Sequence, residues 1–266
     1  MLASLLVFRG HLDWLLFDTE SRSVTKFDKI ETLQPIDLSI SRDGRTVVFT
    51  AQAEASRPQL FISANGLSGP AKLLSPEQGF FAAPKLTPDS SSVVFVHNPG
   101  IGSGPIGRHE TNMNSQLWRI RVDGSALAQL TTSSGCKGAP QPLSDTQILL
   151  AHSSCNGEQV LEYFGPPVNG KKFVKVDGLL GQPALSPNRV RLAYTIIRFR
   201  QIELRLAKDT VPREQDPVIA SAPEGATHFD AQWSDDSKFL FFVAGGELKE
   251  LEIKTMKQRG VQGAKQ

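Results

Sequence analysis

The sequence predicts an all-β fold, a six-bladed β-propeller of four-stranded antiparallel blades whose first blade lacks its innermost strand in sequence order. Three observations carry that reading. A hydroxyl–turn–apolar unit recurs five times along 266 residues, and repetition at this period marks propellers and solenoids. Gly 22 and Pro 17 supply many turns, as a loop-punctuated β fold requires. The strands after each turn are continuously apolar rather than alternating, which suits strands covered on both faces by stacked blades.

The five units are Leu38 to Phe49, Lys85 to Phe95, Pro142 to Leu150, Ala184 to Tyr194 and Gln232 to Phe242. Their hydroxyls Ser41, Thr87, Ser144, Ser186 and Ser234 lie 46, 57, 42 and 48 residues apart, a spacing that fits one four-stranded blade per repeat. Asp43-Gly44 and Pro88-Asp89 supply preset or left-handed backbone angles for the hairpins. The runs that follow, Val47 to Phe49 and Phe239 to Phe242 among them, are short and rich in β-branched or aromatic residues, which argues for strand over buried helix.

The elements follow in order. Leu5 to Phe8, Trp14 to Phe17 and Val24 to Phe27 form an opening repeat that lacks only the innermost strand. Gln59 to Ser63 with Ala71 to Leu74, and Gln116 to Arg121 with Leu127 to Leu130, are the outer strands of the next two. The fourth repeat has a shortened hairpin at Asp145-Thr146, and its outer half, Glu162 to Val176, reads poorly as strand. Gln258 to Gln266 is polar and Gly-rich for a closing strand, which leaves open whether a terminal strand swap closes the ring. The expected organisation is one domain, 1–266, with blades near 1–30, 31–76, 77–132, 133–178, 179–222 and 223–266.

The sequence Ser41-Arg42-Asp43-Gly44-Arg45 ahead of Val47-Val48-Phe49 resembles the Ser-Pro-Asp-Gly-Lys motif of TolB-like (WD-like) propeller repeats. Val122 to Thr131 resembles the tail of such a repeat. The resemblance covers nearly the whole chain. It implies a periplasmic or extracellular envelope protein that binds other proteins, with a peptidoglycan-associated lipoprotein as typical partner. It also implies that the funnel-like face, where each innermost strand enters and each second strand returns, is the binding surface.

Composition narrows the partners. A net charge of +2 with scattered basic residues gives little electrostatic case for nucleic acid or an anionic membrane. No stretch is long and apolar enough for a membrane-spanning helix. Met1 to Phe8 has neither a basic start nor a small-residue cleavage site, so it reads as a strand rather than a signal peptide.

Three features point to the funnel face. Cys136 and Cys155 flank the shortened hairpin, and counting back from Asp145-Thr146 sets them opposite one another, within disulfide reach. A disulfide there implies an oxidising compartment. His97 and His152 occupy the same blade position on neighbouring blades, and His228 precedes the last innermost strand beside Asp230. Read as chemistry, these histidines with Asp37 and Asp230 would hold a divalent metal or an anion; read as structure, they are polar residues bonded to backbone. The segment Pro99 to Asn114, with Gly100, Gly102, Gly104, Arg108 and His109, has a glycine spacing that suggests a phosphate cradle. A strand rather than a helix follows it, so it is expected to be a recognition loop, with a tolerated surface insertion as the alternative.

Catalytic signatures such as Gly-Xaa-Ser-Xaa-Gly or His-Glu-Xaa-Xaa-His do not occur. Arg198, Arg200, Arg205 and Arg213 form one basic stretch, open to an acidic partner or simply solvated. The leading expectation is therefore a monomeric, non-catalytic interaction scaffold with no cofactor. The competing one is a metal-assisted polysaccharide-active enzyme, lyase or glycosidase-like, with a His/Asp site in the funnel.

Overall fold

The computed structural model describes residues 5–9, 13–52, 57–74, 79–98, 115–132, 136–153, 158–166, 169–223 and 229–261. The chain is a six-bladed β-propeller in which every blade is an antiparallel meander of consecutive strands. Blade 1 has three strands, β1 (Leu5–Arg9), β2 (Trp14–Asp18) and β3 (Val24–Phe27). Blade 2 comprises β4 (Pro35–Ile40), β5 (Val47–Gln52), β6 (Pro58–Ser63) and β7 (Lys72–Leu73). Blade 3 comprises β8 (Phe80–Leu86), β9 (Ser92–Asn98), β10 (Gln116–Arg121) and β11 (Ala128–Gln129). Blade 4 comprises β12 (Cys136–Pro142), β13 (Ile148–Ser153), β14 (Gln159–Phe164) and β15 (Gly170–Val174). Blade 5 comprises β16 (Leu179–Leu185), β17 (Leu192–Arg198), β18 (Gln201–Ala207) and β19 (Val218–Pro223). Blade 6 comprises β20 (Gln232–Trp233), β21 (Phe239–Ala244), β22 (Glu247–Glu252) and β23 (Lys257–Gly260).

The apolar runs become second strands, buried on both faces as their composition demands. Every residue of β9 is buried, as are the first five of β5. Each such side chain removed from water contributes roughly 1.5–3 kcal/mol before conformational entropy is counted.

The recurring hydroxyl explains the hairpins between first and second strands. Ser41 Oγ donates to Asp43 Oδ1 (2.6 Å) and accepts from the Thr46 amide (2.9 Å). Thr87 does the same with Asp89 and the Ser92 amide, Ser186 with Asn188 and the Arg191 amide, and Ser234 with Asp236 and the Phe239 amide. The residue three after the hydroxyl is left-handed each time: Gly44 (φ 73), Ser90 (φ 59), Arg189 (φ 59) and Ser237 (φ 60). An L-residue there carries a cost of about 1–2 kcal/mol, which the side-chain bonds of the turn offset. Ser144 caps the Gln147 amide instead, so the blade 4 hairpin is two residues shorter.

Compactness divides the chain into two units, 29–171 and the pair 1–28 with 172–266. In the first, Val48 and Leu60 of blade 2 pack with Phe81, Val93, Phe95 and Ile120 of blade 3. On the other face of blade 3, Val94 and Leu117 pack with Ile148 of blade 4. In the second unit, Leu204 and Leu206 of blade 5 pack with Trp233, Leu240 and Phe242 of blade 6. Phe8, Leu15 and Phe17 of blade 1 pack with Phe241, Val243 and Leu248 of blade 6.

Two expectations are resolved here. The polar segment at the C-terminus does contribute a closing strand: Lys257–Gly260 pairs with β22 and completes blade 6 from its own repeat. Among the described residues no sheet mixes strands of the first and last repeats. The cysteine register, by contrast, differs from the count made from the hairpin. Cys136 lies opposite Ser153, not Cys155: the hairpin pairs Pro142 with Ile148, one residue off the symmetric count, and an irregularity between Lys137 and Pro140 adds a second shift. Cys155 itself lies outside the described residues.

Candidate functional site

In each meander, the loop entering the innermost strand and the loop leaving the second strand share one end of the blade. Of the residues singled out by sequence, Asp37, His97, His152 and Asp230 lie toward that end. His228 and the segment with Gly100, Gly102, Gly104, Arg108 and His109 lie outside the described residues. The others are placed.

His97, on β9, is fully buried. Its ring stacks on Phe81 (centroids 4.2 Å) and meets Trp118 edge-on (5.3 Å), and Nδ1 lies 3.1 Å from the Phe80 carbonyl. His152, the equivalent residue of β13, is bonded through Nε2 to Glu162 Oε2 at 2.9 Å, and Glu162 Oε1 lies 3.5 Å from Lys171 Nζ. Burial lowers the His152 pKa, opposed by the bond to Glu162 and reinforced by the nearby Lys137 and Lys171 charges. A neutral imidazole follows at physiological pH.

The two rings do not converge. Side chains alternate along a strand, so His97 shares its face with Phe95, which packs against blade 2. His152 shares its face with Ile148, which packs against blade 3. The sheet of blade 3 therefore stands between them, at a face-to-face spacing of roughly 10 Å between stacked sheets. A metal ligand nitrogen must approach to about 2 Å. Among the described residues no three His, Cys, Asp or Glu side chains come together to hold a metal ion.

Asp37 and Asp230 occupy the same place in blades 2 and 6, four residues before the anchoring hydroxyl. Each holds neighbouring blades together. Asp37 Oδ2 accepts the Ala83 amide of blade 3 (3.0 Å), and its own amide donates to Thr50 Oγ1 (3.2 Å). Asp230 Oδ2 accepts the Arg9 amide beside blade 1 (3.0 Å), while Oδ1 accepts Gln182 Nε2 of blade 5 (3.2 Å). Both Ala83 (φ 49) and Asp230 (φ 45) are left-handed, which turns the backbone of the innermost strands at the junction. Carboxylates bound this way position backbone: both Asp230 oxygens and one Asp37 oxygen accept a hydrogen bond from an adjoining blade.

The basic stretch of blade 5 is neutralised from within. Arg205 pairs with Glu203 at 2.6 Å, Arg198 with Glu214 and Glu203, and Arg213 with Asp209 at 2.7 Å. The Tyr194 hydroxyl lies 2.9 Å from both Asp216 Oδ2 and the Arg213 carbonyl oxygen, which share its single proton. Burial, then the Asp216 carboxylate, raises its pKa well above the ordinary phenol value. Arg200, whose guanidinium lies 4.9 Å from the Phe199 ring centroid, and Phe199 itself, 83% exposed, form the tip of the β17–β18 hairpin.

Sequence reasoning passed over Glu162, the partner of His152, and the arginines of β10. The alternation in Arg119-Ile120-Arg121 was the available signal for the latter, since period two puts both guanidinium groups on one face.

No family model matches the chain, and no curated protein sequence matches it. Solved structures do. TolB from Acinetobacter baumannii superposes with a TM-score of 0.68 at 12% identity, covering 96% of this chain and 62% of that one. A structure of the nidogen/laminin complex gives 0.62 at 12% identity, covering 96% and 91%. A prolyl endopeptidase gives 0.54 at 12% identity, covering 97% of this chain but 49% of its own. This chain thus spans less than two thirds of the TolB and of the endopeptidase. Likeness at such identities speaks for architecture rather than activity, and the architecture it establishes is that of a TolB-like six-bladed propeller.

Proposed function

We propose that the chain is a non-catalytic interaction scaffold of the bacterial cell envelope, periplasmic or extracellular, that binds a protein partner at the funnel face. The observation that carries this reading is the use made of Asp37 and Asp230. The two carboxylates available to a metal or an acid–base pair at that end are bonded to backbone and amide groups of adjoining blades. The entrance end is a structural rim, suited to presenting loops. Likeness to a TolB and to a propeller solved as a protein–protein complex supports the same reading. So does the absence of any helix, among the described residues, long and apolar enough to cross a membrane.

The loop with Gly100, Gly102, Gly104, Arg108 and His109 is the proposed recognition element. A peptidoglycan-associated lipoprotein is the first partner to try, followed by crosslinking of the full chain in an envelope extract. Arg108→Ala combined with His109→Ala is expected to weaken capture by about tenfold or more, the loss of one or two charged contacts, with an unchanged denaturation midpoint. Metal-dependent turnover of a uronate-containing polysaccharide by the same preparation would overturn the proposal.

A further inference from the structure

At the opposite end of blade 3, beside the β8–β9 hairpin, a cleft of about 350 Å³ is lined by Ser91, Ser92, Arg119, Arg121 and Ala126. Register explains the grouping. Arg121 lies opposite Ser92 and Arg119 opposite Val94, so both guanidinium groups and the Ser92 hydroxyl rise from one face of the sheet. Arg119 Nη2 donates to Ser92 Oγ at 3.1 Å, and Ser91 Oγ lies 3.5 Å from Ser92 Oγ.

This is the face that blade 3 turns toward blade 4, since Val94 and Leu117 on it pack against Ile148. Blade 4 carries the shortened hairpin, in which Ser144 caps an amide three residues on rather than five. The face of blade 3 beside that short turn is where the cleft lies, with Arg119 half-buried and Arg121 exposed.

Among the described residues no carboxylate forms an ion pair within 4.0 Å of either arginine, whereas Arg22, Arg198, Arg205, Arg213 and Arg259 all pair with one. Asp123, whose pKa is lowered by Ser125 and also by the Arg121 charge, directs its hydrogen bonds to the Ser125 amide (2.8 Å) and hydroxyl (2.6 Å). Asp89 is likewise bound into the hairpin by Thr87 and the Ser91 amide.

We infer that this cleft binds a small phosphate-bearing ligand, inorganic phosphate or a phosphomonoester. Two guanidinium groups match a charge of about −1.5 to −2, which a carboxylate does not supply. Two hydroxyl groups beside them provide donors for a third oxygen, which a carboxylate lacks. The volume leaves room for an organic substituent on the phosphate. The site stands apart from the proposed partner-binding end, so either can fail without the other.

The test is a calorimetric titration of the full chain at low salt with inorganic phosphate, with glycerol phosphate and with acetate. Saturable binding of phosphate or glycerol phosphate but not acetate is expected; tighter binding of glycerol phosphate would mark the ester as the preferred source. Arg121→Gln, at an exposed position, should weaken binding about tenfold or more, the loss of one charge-assisted contact. Arg119→Gln should do so at least as strongly. Lack of saturable phosphate binding, equal binding of acetate, or affinity unchanged by Arg121→Gln in a folded variant would each overturn the inference.

Discussion

At the scale of single residues, the hairpins rest on a hydroxyl and a carboxylate two positions apart. The Ser41 hydroxyl and the Arg45 amide hold the Asp43 carboxyl below its ordinary pKa, and Ser125 does the same for Asp123 through its hydroxyl and amide. At Asp89 burial pushes upward, but bonds from Thr87, Ser91 and Asp145 outweigh it. At Asp236 burial is likewise outweighed, by Ser234 and Lys238. A carboxylate with a depressed folded pKa contributes stability that is complete above its unfolded value, about 3.9, and is lost as pH falls through the folded value. Urea denaturation midpoints should therefore be level from neutral pH down to about pH 5 and fall progressively below about pH 4. Asp89→Asn should lower the midpoint at neutral pH and flatten the acid limb. An acid limb of unchanged steepness in that variant would show that the hairpin carboxylate is not the group responsible.

At the scale of elements, the shortened hairpin of blade 4 imposes a constraint on a strand end nineteen to twenty residues away. Gly165, just after β14, has φ +85, and a Cβ there would sit 1.8 Å from the Thr146 carbonyl oxygen and 2.8 Å from its carbon. Both the left-handed backbone and the approach to a main-chain group require glycine. Gly165→Ala should cost about 2–4 kcal/mol by chemical denaturation, combining the strain of a left-handed L-residue with a backbone displacement. Gly170→Ala in the same blade, where an added Cβ meets nothing within 4 Å, should change stability by less than about 1 kcal/mol. Equal effects at the two positions would remove the steric account. Much of the architecture was legible because the signals are local: hydroxyl, turn and apolar run lie within twelve residues in Leu38 to Phe49. The register of blade 4 was not: its hairpin pairs Pro142 with Ile148, one residue off a symmetric count about Asp145-Thr146, and the irregularity between Lys137 and Pro140 adds a second displacement of the cysteines. The candidate site was read less well. Asp37 and Asp230 were identified as a pair, but their partners Ala83 and Arg9 lie 46 and 221 residues away, beyond any local pattern. The arginine cleft is lined by residues of blade 3 alone, but it joins Ser91 and Ser92 to Arg119 and Arg121 across 27 or more residues of sequence.

At the scale of the whole molecule, the chain must join its last blade to its first without a shared strand. Within the unit formed by 1–28 and 172–266, side chains perform that task. Phe17 meets Phe241 at 5.0 Å in the apolar cluster between the two blades, and Gln232 Nε2 donates to the Val7 carbonyl at 2.5 Å. Glu250 on β22 is fully buried, and it bridges Arg22 of blade 1 (2.5 Å) and Arg259 of β23 (2.6 Å). The arginine side chains are themselves 46% and 65% exposed, so each contact alone is screened and contributes modestly. The carboxylate itself is only 1% exposed, and these two guanidinium groups answer its charge. Arg22→Ala and Arg259→Ala should each cost about 1 kcal/mol, because the remaining guanidinium still answers the charge. The double variant should cost about 3–5 kcal/mol, more than the sum, because it strands a buried carboxylate. Replacing Glu250 with Gln in that double background should recover part of the loss by removing the unanswered charge. Additive single effects, or no recovery with Gln, would mean that the two arginines act independently and that no stranded carboxylate accounts for the loss.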